Sequence, residues 1–114
     1  MKMAERHYHK LGFAVVDRHK TESYDIECTK AGRRLCIEVK GTRTTGNQIV
    51  LTSNEVKLPY RRGLVIELCV VHSIRVAGSK TLKTTGGTLV RYENWQPRDH
   101  DLRPISFICE LAKS

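Results

Sequence analysis

The chain has no Cys-x-x-Cys pair and no cysteine–histidine spacing that would make a zinc set, although it carries four cysteines and five histidines. Scattered through apolar or strand-like contexts, Cys28, Cys36, Cys69 and Cys109 read as buried free thiols of a reducing cytoplasm. The opening Met1-Lys2-Met3-Ala4-Glu5-Arg6 lacks an apolar signal core, and no apolar run approaches the roughly 20 residues that cross a bilayer. The expectation is a soluble, cytoplasmic protein with no membrane partner. Repeats, low-complexity stretches and linkers are also missing, and no Ser/His/Asp or Cys/His arrangement suggests a nucleophilic hydrolase. Thr85-Gly86-Gly87-Thr88 does not have the spacing of a phosphate-binding loop and reads as a hairpin turn. Negative charge is scarce: 12 Asp and Glu stand against 20 Lys and Arg, a net charge of +8. That excess points to an anionic partner, nucleic acid first.

What is present is a chain of one-domain length. Its 114 residues, 39% of them hydrophobic, suffice for one core, so residues 1–114 are read as a single α/β domain. Residues 2–11 form a short amphipathic helix, with Ala4, Tyr8 and Leu11 on one stripe and Gly12 as its stop. Phe13–Val16 reads as a strand. Two central strands follow, roughly 24–29 and 34–41, joined by Lys30-Ala31-Gly32-Arg33. Gln48–Leu51 is expected to return as a strand. Thr52-Ser53-Asn54-Glu55 carries a capping box, and Pro59 must end the helix that it starts. Leu64–Ile74 is the strongest strand and belongs at the centre of the sheet. Leu89–Tyr92 is a further candidate strand. Trp95, as a packing anchor, with Pro97 and Pro104 marks an irregular tail over about 95–114, from which Ile105–Ile108 could return to an edge.

The chemistry lies in the two central strands. Alternation sets Ile26 and Cys28 on one side of the first, with Asp25 and Glu27 on the other. In the second it separates Leu35, Ile37 and Val39 from Cys36, Glu38 and Lys40. If Ala31-Gly32 is a two-residue turn, Ile26 faces Ile37 and Asp25 faces Glu38, so the carboxylates gather beside Lys40. A slip of one residue would bury the acids. Two ionised carboxylates across a strand pair repel one another, and a divalent cation removes that penalty. Mg²⁺ suits such hard oxygen donors, and Mn²⁺ is the natural substitute. Asp25 and Glu38 are the candidate ligands, the Val39 carbonyl a further one, and Lys40 the electrostatic or acid–base partner.

The order helix, strand, Tyr24-Asp25-Ile26-Glu27, turn, Ile37-Glu38-Val39-Lys40-Gly41-Thr42 resembles the PD-(D/E)XK nuclease superfamily. More closely, the chain is similar to the domain at the C-terminus of NO VEIN-type proteins. There a Tyr-Asp-Ile strand precedes Ile-Glu-Val-Lys, then come a Leu-Thr-x-Asn-Glu element (here Leu51–Glu55), a long apolar strand and a Trp-x-Pro element (here Trp95-Gln96-Pro97). The likeness runs over roughly residues 4–110. It implies a restriction-endonuclease-like mixed β-sheet flanked by short helices, with Asp25, Glu38 and Lys40 in a metal site and endonuclease chemistry on nucleic acid, DNA first. The superfamily often adds a glutamate from the first helix; the one available is Glu5, which lies off the Ala4/Tyr8/Leu11 stripe.

Nucleic-acid contacts are expected from the polar loop after Lys40, namely Arg43, Thr44, Asn47 and Gln48, and from Arg61, Arg62, Lys80 and Lys83 as outer phosphate contacts. A two-strand cut needs two sites, so a homodimer is a further expectation. The rival reading is a nuclease-fold module that binds nucleic acid or protein without turnover.

Overall fold

The structure, a computed structural model, describes residues 2–77 and 83–112. Its elements are α1 (Lys2–Lys10), β1 (Ala14–Asp17), β2 (Ile26–Lys30), β3 (Arg33–Gly41), α2 (Ser53–Lys57), β4 (Ile66–Ala77) and β5 (Lys83–Tyr92). The strands make one mixed sheet in the order β1-β2-β3-β4-β5, parallel at β3–β4 and antiparallel elsewhere. No helix among the described residues is long and apolar enough to cross a membrane.

The β2–β3 hairpin closes as its turn residues require. Ala31 and Gly32 have φ of 50° and 78°, both in the left-handed region, as a two-residue type I′ turn demands. Ile26 pairs with Ile37 and Cys28 with Leu35, the register anticipated from alternation. Glycine meets this backbone freely, but alanine at positive φ costs about 1 kcal/mol. Ala31→Asn is therefore expected to stabilise the chain by about 0.5–1 kcal/mol. A urea midpoint that does not move would show that no strain is held at this turn.

The sheet is covered on both faces, which is why its central strands are apolar in both parities. Ala4 and Tyr8 of α1 pack onto Ile26, Cys28, Leu35, Ile37 and Cys69 of the sheet, with Phe13 and Val15 alongside. On the other face Tyr24, Cys36, Leu58 and Ile66 cluster beneath the 3₁₀ turn Leu58–Tyr60, and Trp95 packs on them. Tyr24 departs from the alternation of Ile26 because it precedes β2. Three of the cysteines are buried free thiols, and burial pushes the Cys69 thiol up to about 11, so these side chains serve as packing. Cys109, expected to be buried, is exposed.

Several expected elements differ. Residues 48–51 are not a strand, and Val50 is exposed. They belong to the crossover that must carry the chain from β3 to its parallel neighbour β4. Gly86 and Gly87 lie within β5 rather than in a turn, because β4–β5 pairing runs on to Ala77 opposite Lys83. A Cβ at Gly87 would stand 2.8 Å from Val71 Cγ1, so the close approach requires glycine there. Ile105–Ile108 forms no strand; Phe107 and Ile108 are 88% and 92% exposed, with no sheet face over them.

Candidate active site

Asp25 stands one residue before β2, and one further step along the observed register puts it across from Glu38. The Asp25 N–H donates to the Ile37 carbonyl at 3.0 Å. In return the Val39 N–H donates to Asp25 Oδ2 at 2.8 Å. These two bonds fix the carboxylate against the backbone of β3. Because a strand residue sends its N–H and C=O to the same side, the Val39 carbonyl is directed toward this margin of the sheet as well.

Glu38 is buried, only 5% exposed, and does not lie on a wet face. Burial is the main cause that lifts its carboxyl far above the ordinary value of 4.5, to about 9; its hydrogen bond to Glu55 and the charges of Asp25 and Glu55 add to the rise, and Lys40 opposes it. Burial would raise Glu55 too, but hydrogen bonds from Glu38, Lys40 and Thr52 outweigh it and hold Glu55 low. The two shifts run in opposite directions, so Glu38 is the member of the pair that holds a proton more readily. Lys40 Nζ lies 2.5 Å from Glu55 Oε2, with both side chains largely covered. Asp25, Glu38, Lys40 and Glu55 thus form one charged cluster at the junction of β2, β3 and α2.

Glu5 reaches the same margin from α1. With Lys2, Asp17, His19 and Asp25 it lines an open cleft of about 340 Å³. Across its mouth His19 Nδ1 is 2.5 Å from Asp17 Oδ1. The helix glutamate and Asp25 therefore face one space, although Glu5 lies off the apolar stripe of its helix.

The donors are hard carboxylate and carbonyl oxygens, and the charges of Asp25 and Glu55 that add to the rise at Glu38 are ones that a divalent cation would neutralise. In chemistry and in charge the set fits Mg²⁺ or Mn²⁺. Among the described residues no three Asp, Glu, His or Cys side chains converge closely enough to enclose an ion as they stand. Lys40 takes up one oxygen of Glu55 instead.

The expected phosphate contacts divide. Arg43, Thr44, Asn47 and Gln48 are exposed on the segment after β3. That loop is tied to β4 by Thr42 N–H to Val71 O at 2.9 Å and Ser73 N–H to Thr44 O at 2.8 Å. Arg61 is brought to the start of β2, where its guanidinium donates to Ser23 Oγ at 3.3 Å; Arg62 beside it is exposed. Lys80 lies outside the described residues, and Lys83 enters only as a backbone position at the start of β5.

Two acids escaped the sequence reading. Glu55 reads in the sequence as the third helical residue of a capping box, and it is one: its Oε1 accepts from Thr52 N–H at 2.8 Å, and its N–H donates to Thr52 Oγ1 at 3.2 Å. That local role concealed the long-range one. Glu67 is 1% exposed in β4. It accepts a hydrogen bond from the Tyr8 hydroxyl and two from Arg91, at 2.7 and 2.9 Å. Here a signal existed, because one acid inside an apolar run implies a buried partner.

Residues 1–83 match the family model described as the C-terminal region of the protein NO VEIN. No curated protein and no solved structure matches the chain. The matched span is shorter than the 4–110 expected from motifs and leaves Trp95-Gln96-Pro97 outside it.

Proposed function

Because the chain belongs to the NO VEIN C-terminal family, and the matched span contains the whole charged cluster, we propose that it is a divalent-metal-dependent nuclease domain of restriction-endonuclease-like, PD-(D/E)XK type. Its substrate would be nucleic acid, DNA first, cut by hydrolysis of a phosphodiester bond. The observation that carries this reading is the crowding of carboxylates around the buried Glu38, whose carboxyl is pushed up by burial and by the nearby Glu55 and Asp25. A folded chain retains such repulsion where a ligand relieves it.

Asp25, Glu38 and the Val39 carbonyl would hold the cation, with Glu5 reaching it from α1; bound there, it would withdraw charge from the phosphate and acidify a water. The residues of the chain do the rest. Lys40 sets a positive charge where negative charge grows on the attacked phosphate. Arg43, Thr44, Asn47, Gln48, Arg61, Arg62 and Lys83 supply phosphate contacts that give affinity without reading sequence. Cutting both strands of a duplex would take two copies of the chain.

The second reading is a module that binds nucleic acid or protein without cleaving. In such a module the 2.5 Å ion pair between Lys40 and Glu55 would be a structural link alone, the lysine charge being met without substrate. One set of measurements separates the two. Calorimetric titration of Mn²⁺ into the wild type is expected to give a single site, weakened at least about tenfold in Asp25→Ala and Glu38→Ala, since each carboxylate supplies much of the site's charge. Cleavage of plasmid and oligonucleotide DNA should then require the ion and fail in both variants. Salt-sensitive DNA binding with no cleavage would instead establish the second reading.

A further inference from the structure

We infer that Glu55 is the positioning residue for Lys40, and that the capped first turn of α2 is thereby part of the candidate active site. The two oxygens of Glu55 have separate tasks. Oε1 accepts from the Thr52 N–H at 2.8 Å, which anchors the carboxylate to the helix start. Oε2 stands 2.5 Å from Lys40 Nζ, which ties the ammonium to the start of α2. Neither group has room to wander: the two side chains are 14% and 22% exposed. Lysine is a flexible four-carbon stem with a point charge at its tip, so an unheld Lys40 would sample many rotamers and spend little time at the reacting phosphate. A carboxylate pinned by its own helix cap removes that freedom at small further entropic cost, because its rotamer is already fixed.

The catalytic meaning of this contact rests on the nuclease reading; the contact itself does not. The test therefore has one readout that needs no activity. In the full-length chain, reductive methylation of lysine amines is followed by mass spectrometry for the wild type, Glu55→Gln and Thr52→Ala. Glutamine keeps an oxygen for the cap and loses the charge that holds Lys40. The expected result is that Lys40 reacts at least tenfold more slowly than the exposed lysines in the wild type and approaches their rate in Glu55→Gln. In Thr52→Ala, which removes only the hydroxyl half of the cap, it should stay slow. Equal Lys40 rates in wild type and Glu55→Gln would overturn the assignment. So would Lys40 exposure in Thr52→Ala as large as in Glu55→Gln, which would trace the effect to unravelling of α2.

Metal-dependent cleavage is then measured on the same proteins. Positioning predicts a fall in kcat of tenfold or more for Glu55→Gln, with KM within twofold; a fall confined to KM would count against it. Protected Lys40 in a wild type that cleaves nothing with Mg²⁺ or Mn²⁺ would sustain the Glu55–Lys40 contact and refute the nuclease reading instead.

Discussion

Glu67→Ala is expected to destabilise the chain by about 3–5 kcal/mol, the usual consequence of removing one partner from a buried ion pair. Glu67 lies beneath α1 and is essentially inaccessible. It receives both Nε and Nη2 of Arg91 in a forked arrangement and the hydroxyl of Tyr8 besides. Tyr8 belongs to α1 and Arg91 to β5, so one carboxylate joins the first helix to the last strand. Alanine would leave the guanidinium largely covered with no anion, and the Tyr8 hydroxyl without its acceptor. The Arg91 guanidinium, 5.1 Å over the Tyr8 ring, would retain only that weaker contact. For a chain of this size the melting temperature should fall by about 10–20 °C. Glu67→Gln, which keeps an acceptor but not the charge, should fall less. A loss under a few degrees in Glu67→Ala would mean that the three groups do not hold α1 to the sheet.

Glu38→Gln should have the opposite sign. The folded-state pKa of Glu38 is raised from 4.5 to about 9, first by burial. The folded chain therefore holds a proton that the unfolded chain releases. That contribution to stability is fully present below pH 4.5 and is lost as pH rises toward 9. At pH 7 the burden is on the order of 3–4 kcal/mol. Glu55 runs the other way, its lowered pKa adding stability that fades only as pH falls below the carboxylate range. The metal-free wild type should thus lose stability steadily from about pH 5 to pH 9, while Glu38→Gln, which needs no proton to be neutral, should not. At pH 8 the variant should be the more stable protein and should bind Mn²⁺ more weakly. Parallel stability–pH curves for the two proteins would show that Glu38 is ionised in the folded state, and would remove the main support for a cation at this place.

The local parts of the fold were legible because their causes are local. Gly12 ends α1 with a φ of 93°, the capping box at Thr52 and Glu55 forms in full, and Ala31-Gly32 sets the turn that puts Ile26 opposite Ile37. Where prediction failed, the cause was distant. Gln48–Leu51 has the composition of a strand, but pairing β3 parallel to β4 commits that segment to the crossover. Gly86 and Gly87 look like a turn, but the length of β4 draws them into the sheet. Ile105–Ile108 has strand composition and finds no pairing partner among the described residues.

The candidate site divides along the same line. Side-chain alternation with period two, together with one two-residue turn, was enough to place Asp25, Glu38 and Lys40 at a single margin, since both act between neighbours in sequence. Burial of Glu38, the rise of its pKa, the hold of Glu55 on Lys40, the shared cleft of Glu5 and Asp25, and the contact of Arg61 with Ser23 all depend on how α1, α2 and the crossover come to rest on the sheet. Desolvation and Coulomb energy follow distance in space. Separations of 15 residues from Lys40 to Glu55 and 24 from Glu67 to Arg91 leave no periodic trace in the sequence, so only the packed chain decides which charges meet.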